Sequence, residues 1–262
     1  MRVDISNLPS DNWHHFLRIR DLLQILSEVP LDGDQRVLEL GAGDGAQTAV
    51  LRKVFRYVVP LDIAPSGDVE GMVIADAAEL PFEDNSFDLI FSSNVLEHVE
   101  RLDDAFEEMK RVLVPGGVMI HSMPTGTWKL LQLGLRPVAS ALKIIRRLTP
   151  GLSSGAVRVS EGSHGSLDGV IQKKRSLLQR VVGLVIPAVH GVAGNHLTEL
   201  FAFRPRHWRK LFDNAEIECF RSSPLYFHSA YDLIPYRFLE LRDLIARKGN
   251  ASVDVFWLRP KD

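Results

Sequence analysis

The first half of the chain alternates short apolar runs with helical periodicity, and this alternation restricts the fold more than any other feature. Apolar runs that predict strands cover Arg36–Leu40, Tyr57–Asp62, Gly71–Ala75, Phe87–Phe91 and Val118–Ser122. Helical spacing predicts helices at Trp13–Ile25, at Val50–Val54 and at Leu96–Leu113. Apolar strands separated by helices are typical of a parallel sheet that is covered on both faces. We therefore expect an α/β fold with a doubly wound sheet.

Composition excludes several classes of protein. The chain has 262 residues and a formal net charge of -2, which argues against a uniformly basic nucleic-acid binder. Cys219 is the single cysteine, so an internal disulfide is excluded and a reducing compartment is expected. Residues 1–13 lack the apolar core of a signal peptide. The longest apolar stretch, Val181–Gly194, is shorter than the roughly 20 residues of a membrane span. We expect a cytoplasmic protein.

Three acidic residues stand at or near the ends of three predicted strands, namely Glu39, Asp62 and Asp76. The carboxyl ends of parallel strands form the crevice in which open α/β sheets bind ligands. The loop Gly41–Gly45 follows the first strand, and its glycines let the backbone approach a ligand closely. Asp62 is placed to bind the two hydroxyls of a ribose, and Ile63 beside it is placed to pack on adenine.

Charge favours one adenosine cofactor over another. Gly41, Gly43 and Ala46 also satisfy a loose dinucleotide fingerprint, but Asp44 lies where the pyrophosphate of NAD would bind. S-adenosylmethionine carries a sulfonium and an ammonium and no phosphate, so acidic neighbours such as Glu39 favour it. A role for Asp44 in capping the next helix is the simpler alternative for that residue.

Four motifs then resemble class I S-adenosylmethionine-dependent methyltransferases, in the manner of the ubiquinone-type small-molecule subgroup. They are Val37-Leu-Glu-Leu-Gly-Ala-Gly-Asp-Gly45, Asp76-Ala-Ala-Glu-Leu-Pro-Phe82, Phe87-Asp-Leu-Ile-Phe-Ser-Ser-Asn-Val-Leu-Glu-His98 and Arg111-Val-Leu-Val-Pro-Gly-Gly117. They follow one another in the order and at the spacing of that family, between about Gln35 and Pro124.

The resemblance implies a Rossmann-like sheet of seven mostly parallel strands, the last antiparallel, with a helical insertion after the fifth strand. It implies that S-adenosylmethionine is the cofactor. The residues that it places around this cofactor, together with those argued above, are Glu39, Gly41, Ala42, Gly43, Asp62, Ile63, Asp76, Ala77, Ser93 and Asn94.

The chain after Pro124 changes in composition. Residues 124–182 carry ten basic side chains against two acidic ones, Glu161 and Asp168. The α/β pattern resumes near Arg204, with helices expected at Trp208–Asn214 and Leu233–Arg247 and strands at Ile217–Ser222 and Val253–Leu258. We therefore predict an N-terminal helical cap (1–34), a cofactor-binding core (35–123), a basic helical insertion or lid (124–203) and a C-terminal part of the core sheet (204–262).

Histidines are the candidates for proton transfer to and from an acceptor. His98, just past the fourth strand, is the best-placed base, and its alternative role is a plain helix-start residue. Candidate substrate residues are His14, His15, His190, His196 and Glu199. A metal site at His190, His196 and Glu199 is the weaker interpretation of that cluster, and we expect no metal.

The basic insertion suggests a membrane-associated or lipid-linked acceptor, with nucleic acid disfavoured because few aromatic residues accompany the basic ones. Residues 128–148 and 170–182 are the predicted peripheral contacts with the inner membrane face, with Trp128, Leu131, Leu135, Leu142 and Ile145 as the apolar face, interrupted at Pro137. A helical lid packed on the core is the alternative.

The expected activity is methyl transfer, with oxygen of a sugar or of a lipid-carrier-linked glycan as the first acceptor considered. Methylation at carbon of an isoprenoid quinone precursor is the enzymatic alternative. A cofactor-binding regulatory or scaffold protein without turnover is the alternative of another class.

Overall fold

A computed structural model describes residues 13–28, 32–148, 186–187, 189–192, 194–227 and 238–261. The strands are β1 (Arg36–Leu40), β2 (Tyr57–Asp62), β3 (Val73–Ile74), β4 (Phe87–Ser93), β5 (Leu113–Pro124), β6 (Ile217–Tyr226) and β7 (Val253–Pro260). The α-helices are α1 (Trp13–Ser27), α2 (Ala46–Leu51), α3 (Leu102–Val112), α4 (Gly126–Leu148), α5 (His196–Ala202), α6 (Pro205–Asn214) and α7 (Leu239–Ile245). A short 3-10 helix, Leu96–His98, precedes α3, and a π-helical turn, Ala246–Asn250, follows α7.

The seven strands form one sheet in the order β3-β2-β1-β4-β5-β7-β6. The pairs from β3 to β5 are parallel, and β7 runs antiparallel to both β5 and β6. The predicted seven-stranded, mostly parallel α/β sheet is therefore confirmed. The strand order reverses between β1 and β4, so the crevice at the carboxyl ends of these two strands is the topological switch point.

Both faces of the sheet are covered, because successive side chains of a strand point to opposite faces. In β4, Ile90 packs in a cluster with Phe106 of α3 and Phe212 of α6. Leu89 and Phe91, on either side of it in sequence, pack in a second cluster that contains residues of α1. The continuous apolar strand sequences follow from this two-sided burial.

The helix expected over Leu96–Leu113 is wrong in its first third. The 3-10 helix ends at Val99, which is extended, and α3 begins only at Leu102. Asp103 and Asp104 in the first turn of α3 favour a helix start there, because acidic side chains complement the partial positive charge of a helix N-terminus. That charge pattern was available in the sequence.

Other boundaries also differ from the predictions. The helix α2 ends at Leu51, so Val54 lies in the turn that follows, and β3 is two residues long rather than five. The strand β5 begins at Leu113, ahead of the Pro-Gly-Gly turn expected to precede it. The helix α4 continues through Pro137, which is exposed, so water can solvate the carbonyl that a proline leaves unpaired. Residues 228–237, which include the expected helix start at Leu233, lie outside the described residues.

One ion pair of α4 and α5 is fully buried. Lys129 Nζ lies 2.5 Å from Glu199 Oε2, and neither side chain is exposed. Lys129 Nζ also donates to Gln132 Oε1 at 3.0 Å. Burial lowers the pKa of Lys129, while the Glu199 carboxylate acts to raise it. Lys129, one of the ten basic residues counted in the insertion, is thus a core residue that joins two helices.

None of the described helices combines the length and the apolar character that a bilayer crossing requires. The predicted contact segment 170–182 lies outside the described residues.

Candidate functional site

The loop between β1 and α2 closes against the end of β2. The N–H groups of Gly41 and Ala42 both donate to the carbonyl of Leu61, at 2.7 and 3.0 Å. Gly41 has φ 72°, and a Cβ there would lie 2.3 Å from Val95 Cγ2, so only glycine fits. A Cβ on Gly43 would meet nothing within 4 Å. The loop therefore leaves open space at Gly43, beside the switch point.

Asp62 lies at the end of β2 and accepts hydrogen bonds from the loop after β1 and from the loop after β2. Its Oδ2 accepts from the Gly43 N–H and its Oδ1 from the Ala64 N–H, each at 2.8 Å. A carboxylate oxygen has lone pairs for more than one donor, so each oxygen can also accept from a ribose hydroxyl. The structure thus places Asp62 and the glycine loop in direct contact.

Two exposed isoleucines flank Asp62. Ile63 follows it directly and is 62% exposed, while Ile74 pairs with Asp62 across β2 and β3 and is 71% exposed. An exposed apolar side chain at a strand end is suited to packing on an adenine ring. Ile74 was missed by the sequence analysis, although its place at the end of an apolar run was a usable signal.

Glu39 is a buried acid directly before the glycine loop. Thr48 Oγ1 of α2 donates to its Oε2 at 2.6 Å. Burial raises the pKa of Glu39 to about 7, and the Thr48 hydrogen bond only partly offsets this. A buried carboxylate with such a pKa is stabilised in its charged form by a nearby cation, such as an ammonium group.

Asp44 lies at the beginning of α2 and accepts from the N–H of Ala46 at 3.1 Å. It therefore occupies a free helix N–H that a phosphate would otherwise use. Both its charge and its hydrogen bond argue against a pyrophosphate at this position.

Asp76 is held by neighbours on both of its oxygens. Oδ1 accepts from the Ala78 N–H at 2.9 Å, and Oδ2 lies 3.1 Å from Arg101 Nη2. These contacts lower the pKa of Asp76, the Ala78 hydrogen bond contributing most. Ala77 beside it is buried. Arg101 was not identified from the sequence, because its pairing spans two loops.

Asn94 directly follows β4 and has a strained backbone conformation. Its φ is 54°, a region that few residues other than glycine and asparagine adopt. Its N–H donates to the Ser122 carbonyl at 2.8 Å, and its Oδ1 is buried with no hydrogen-bond partner among the described residues. Ser93 accepts from Ser122 Oγ at 3.2 Å. Strained backbone of this kind is typical of functional sites.

Glu97, His98 and His190 come together past the end of β4, and we call them the Glu97 cluster. The Nε2 atoms of His98 and His190 lie 3.9 and 3.8 Å from Glu97 Oε1, and the two rings are 4.5 Å apart. Burial lowers the pKa of His98, so the neutral imidazole, which can accept a proton, is its form at neutral pH. The structure thus joins two predicted residues, His98 and His190, through a glutamate that we had not singled out.

His196 and Glu199, two further predicted substrate residues, lie on α5, and Glu199 is close enough to His98 to act on its pKa. Asn195 caps α5 by accepting from Leu197 N and Thr198 N, at 3.0 and 2.9 Å. His196 Nδ1 lies 3.7 Å from the buried Glu199. The side chains of His14 and His15 lie outside the described residues.

These features fit S-adenosylmethionine. The buried acid Glu39, the open space at Gly43 and the two oxygens of Asp62 lie at the switch point, with exposed Ile63 beside them. The chemistry of this donor set suits a cationic adenosine ligand.

Comparison with known families agrees with this geometry. A family model described as a methyltransferase domain matches residues 38–121, about a third of the chain. A malonyl-acyl-carrier protein O-methyltransferase of Methylococcus capsulatus is 41% identical over 100 residues, which cover 33% of this chain and 36% of that protein. A demethylmenaquinone methyltransferase of Streptomyces avermitilis is 32% identical over 125 residues, covering 41% and 54%.

A ubiquinone/menaquinone biosynthesis C-methyltransferase of Pseudomonas fluorescens is 47% identical over 68 residues, covering 25% of this chain and 26% of the relative. The chain thus spans between about a quarter and about a half of the length of these relatives. The segment matched by the family model, residues 38–121, is the cofactor half of the sheet and ends before the insertion.

Solved structures show the fold over nearly the whole chain. An S-adenosylmethionine-dependent methyltransferase from Mesorhizobium loti has a TM-score of 0.52 at 16% identity, covering 93% of this chain and 99% of that one. A methyltransferase from Aquifex aeolicus has a TM-score of 0.51 at 12% identity, covering 98% of both. At these identities the likeness concerns the fold alone. Residues 38–121 thus match a methyltransferase domain, and the chain is similar in part to demethylmenaquinone and ubiquinone/menaquinone methyltransferases.

Proposed function

We propose that the protein transfers a methyl group to a small or lipid-linked acceptor. When bound, S-adenosylmethionine supplies that methyl group from its sulfonium sulfur. The observation that carries the proposal is the Asp62 carboxylate, which bonds the Gly43 N–H at the switch point of the sheet. The strand ends around Asp62 orient the cofactor, and the Asn94 end of β4 faces the methyl-transfer side.

Loss of Asp62 is expected to weaken cofactor binding by about tenfold to a hundredfold, because two charge-assisted hydrogen bonds to the ribose are lost. The measurement is calorimetric titration of the wild type and Asp62→Ala with S-adenosylhomocysteine. Asp68→Ala, which removes an exposed carboxylate of the same loop, is the matched control. Equal affinity of all three proteins would contradict the assigned site.

A wild type that binds no S-adenosylhomocysteine would instead favour the scaffold alternative. Binding of the cofactor without turnover of any acceptor would favour a regulatory protein. Both results differ from that expected of an enzyme, which binds the cofactor and methylates an acceptor.

The chemical identity of the acceptor is a separate part of the proposal. The relatives are named for malonyl-acyl-carrier protein, demethylmenaquinone and ubiquinone/menaquinone biosynthesis, and none of these names refers to a sugar or a glycan. We therefore replace the expected glycan acceptor by a quinone precursor methylated at carbon, with a carboxylate methylated at oxygen as the second candidate. Mass spectrometry of lipid extracts from cells that lack the protein tests this, since a quinone lighter by one methyl group is expected.

Proton removal from the acceptor is assigned to the Glu97 cluster. His98 lies just past β4, and its side chain is 40% exposed. Its neutral imidazole can take the proton that the acceptor loses as the new bond to the methyl group forms. Glu97 stabilises the imidazolium that results, because the two side chains lie 3.9 Å apart.

Peripheral membrane contact is proposed for α4, on a face that shares only Ile145 with the one first expected. Trp128, Leu131, Leu135 and Leu142 are half-buried, whereas Ile145 is exposed together with Leu130, Val138 and Ile144. Basic residues of the insertion would add about 1 kcal/mol each near an anionic surface. We expect the protein to float with phosphatidylglycerol vesicles at low salt and Ile144→Asp/Ile145→Asp to stay in solution. Failure of the wild type to float would leave α4 as a lid.

A further inference from the structure

The Glu97 cluster has a feature that the proposed proton transfer does not explain. The side chain of Glu97 is only 1% exposed, and both of its oxygens are buried with no hydrogen-bond partner among the described residues. An uncompensated buried carboxylate costs several kcal/mol, so the site requires a proton or a cation. The ring nitrogens nearest to it lie at 3.8 and 3.9 Å, beyond hydrogen-bond distance.

The spacing of the three side chains suits a metal ion better than a proton. One ligand atom from each of Glu97, His98 and His190 lies within 4.8 Å of the other two. Two ligands held at about 2.1 Å in a tetrahedral zinc site are about 3.4 Å apart. The two distances to Glu97 Oε1 exceed this by about 0.5 Å or less, and the two imidazoles lie within 4.8 Å of each other, so side-chain rotations are needed to close the site. One proton, by contrast, bridges only two atoms.

The backbone around the cluster is built to hold it. Gly191 has φ 71°, and a Cβ there would lie 2.3 Å from the Glu97 carbonyl oxygen. The N–H of Val192 donates to that same carbonyl at 3.0 Å. The end of the insertion is thus fixed directly over Glu97, and this contact brings His190 to the site. Trp128 packs beside His190, with ring centroids 5.1 Å apart, and limits the ring's movement.

We propose that Glu97, His98 and His190 bind a divalent transition-metal ion of the zinc class. Two imidazoles and one carboxylate form the ligand set of three-residue zinc sites that keep a fourth position for water or substrate. The side chain of His98 is 40% exposed, so solvent reaches that side of the cluster. Mg²⁺ is disfavoured, because it prefers oxygen ligands.

Binding of the metal does not depend on the proposed function, but its role in a reaction does. That role rests on the proposed methyl transfer: the fourth position would bind an acceptor oxygen and lower its pKa. His98 would then be a metal ligand rather than a base.

The test is calorimetric titration of the untagged, chelator-treated protein with Zn²⁺ and with Mg²⁺, together with the visible absorption of bound Co²⁺. We expect one Zn²⁺ per chain, a tetrahedral Co²⁺ spectrum and much weaker binding of Mg²⁺. Glu97→Gln, His98→Ala and His190→Ala should each weaken Zn²⁺ binding by at least about tenfold. His207→Ala on α6 and Cys219→Ser should leave it unchanged, since they test an exposed histidine and the free thiol.

S-adenosylhomocysteine titration of the same variants separates the two proposals. His190→Ala should retain cofactor affinity, which shows that the variant is folded. Zn²⁺ binding that is absent, or that is unchanged in His190→Ala, would overturn the metal site whatever the result with the cofactor. Mg²⁺ binding as tight as that of Zn²⁺ would also overturn it.

Discussion

Replacement of Lys129 by methionine is expected to lower the free energy of unfolding by about 3 to 5 kcal/mol. The substitution removes the ammonium that lies 2.5 Å from Glu199 Oε2 and leaves a fully buried carboxylate without its cation. Methionine has nearly the same length as lysine, so the loss of packing is small. Chemical denaturation at pH 7 measures the change, and the affinity for S-adenosylhomocysteine should stay the same at low denaturant, because the pair lies outside the cofactor site.

The double variant Lys129→Met/Glu199→Met provides the control for this prediction. Removal of both charges replaces the buried pair by apolar side chains, which is often neutral for stability. We expect the double variant to lie within about 1 to 2 kcal/mol of the wild type, and the cycle then gives the coupling energy. A cost below about 1 kcal/mol for Lys129→Met alone would show that the pair is solvated.

Glu39→Gln is expected to remove a pH dependence of stability worth up to about 3 kcal/mol. The pKa of Glu39 is about 7 in the folded protein, against a usual value of 4.5. Between these values the native state binds more protons than the unfolded state. Stability from this group is therefore fully present below about pH 4.5 and is lost as pH rises through 7. Glutamine stays neutral and can still accept from Thr48, so the variant should be the more stable protein at pH 8.

Comparing the stability of the wild type with that of Glu39→Gln separates the effect of Glu39 from that of His121, whose pKa is shifted in the opposite direction. Burial lowers the pKa of His121 to about 3, so its contribution is present above about pH 6.5 and is lost as pH falls. This contribution is the same in both proteins and cancels in their difference. Parallel stability curves from pH 4 to pH 8 would show that Glu39 titrates normally. At pH 8 the variant should also bind S-adenosylhomocysteine about tenfold more weakly, because its charge no longer attracts the ammonium.

Much of the sheet and of the cofactor site could be predicted from the sequence, because both are local. The strands β1 and β4 are short apolar runs, and burial on both faces requires that pattern. Asp62 and the Gly41 loop are adjacent in space because parallel neighbouring strands end at the same edge. The predicted helix boundaries were less accurate. The helix α3, for example, begins at Leu102, where acidic residues in the first turn favour a helix start.

Only the tertiary structure brought His190 to Glu97 and Lys129 to Glu199. Periodicity identifies which face of a helix or strand is buried, but it does not say which distant polar side chain meets it there. The path of the insertion decides that, through the turn at Gly191 over the Glu97 carbonyl and the packing of α5 on α4. The sequence by itself therefore determined which residues meet at the strand ends around Asp62, whereas the grouping of side chains around Glu97 depends on contacts between segments far apart in the chain.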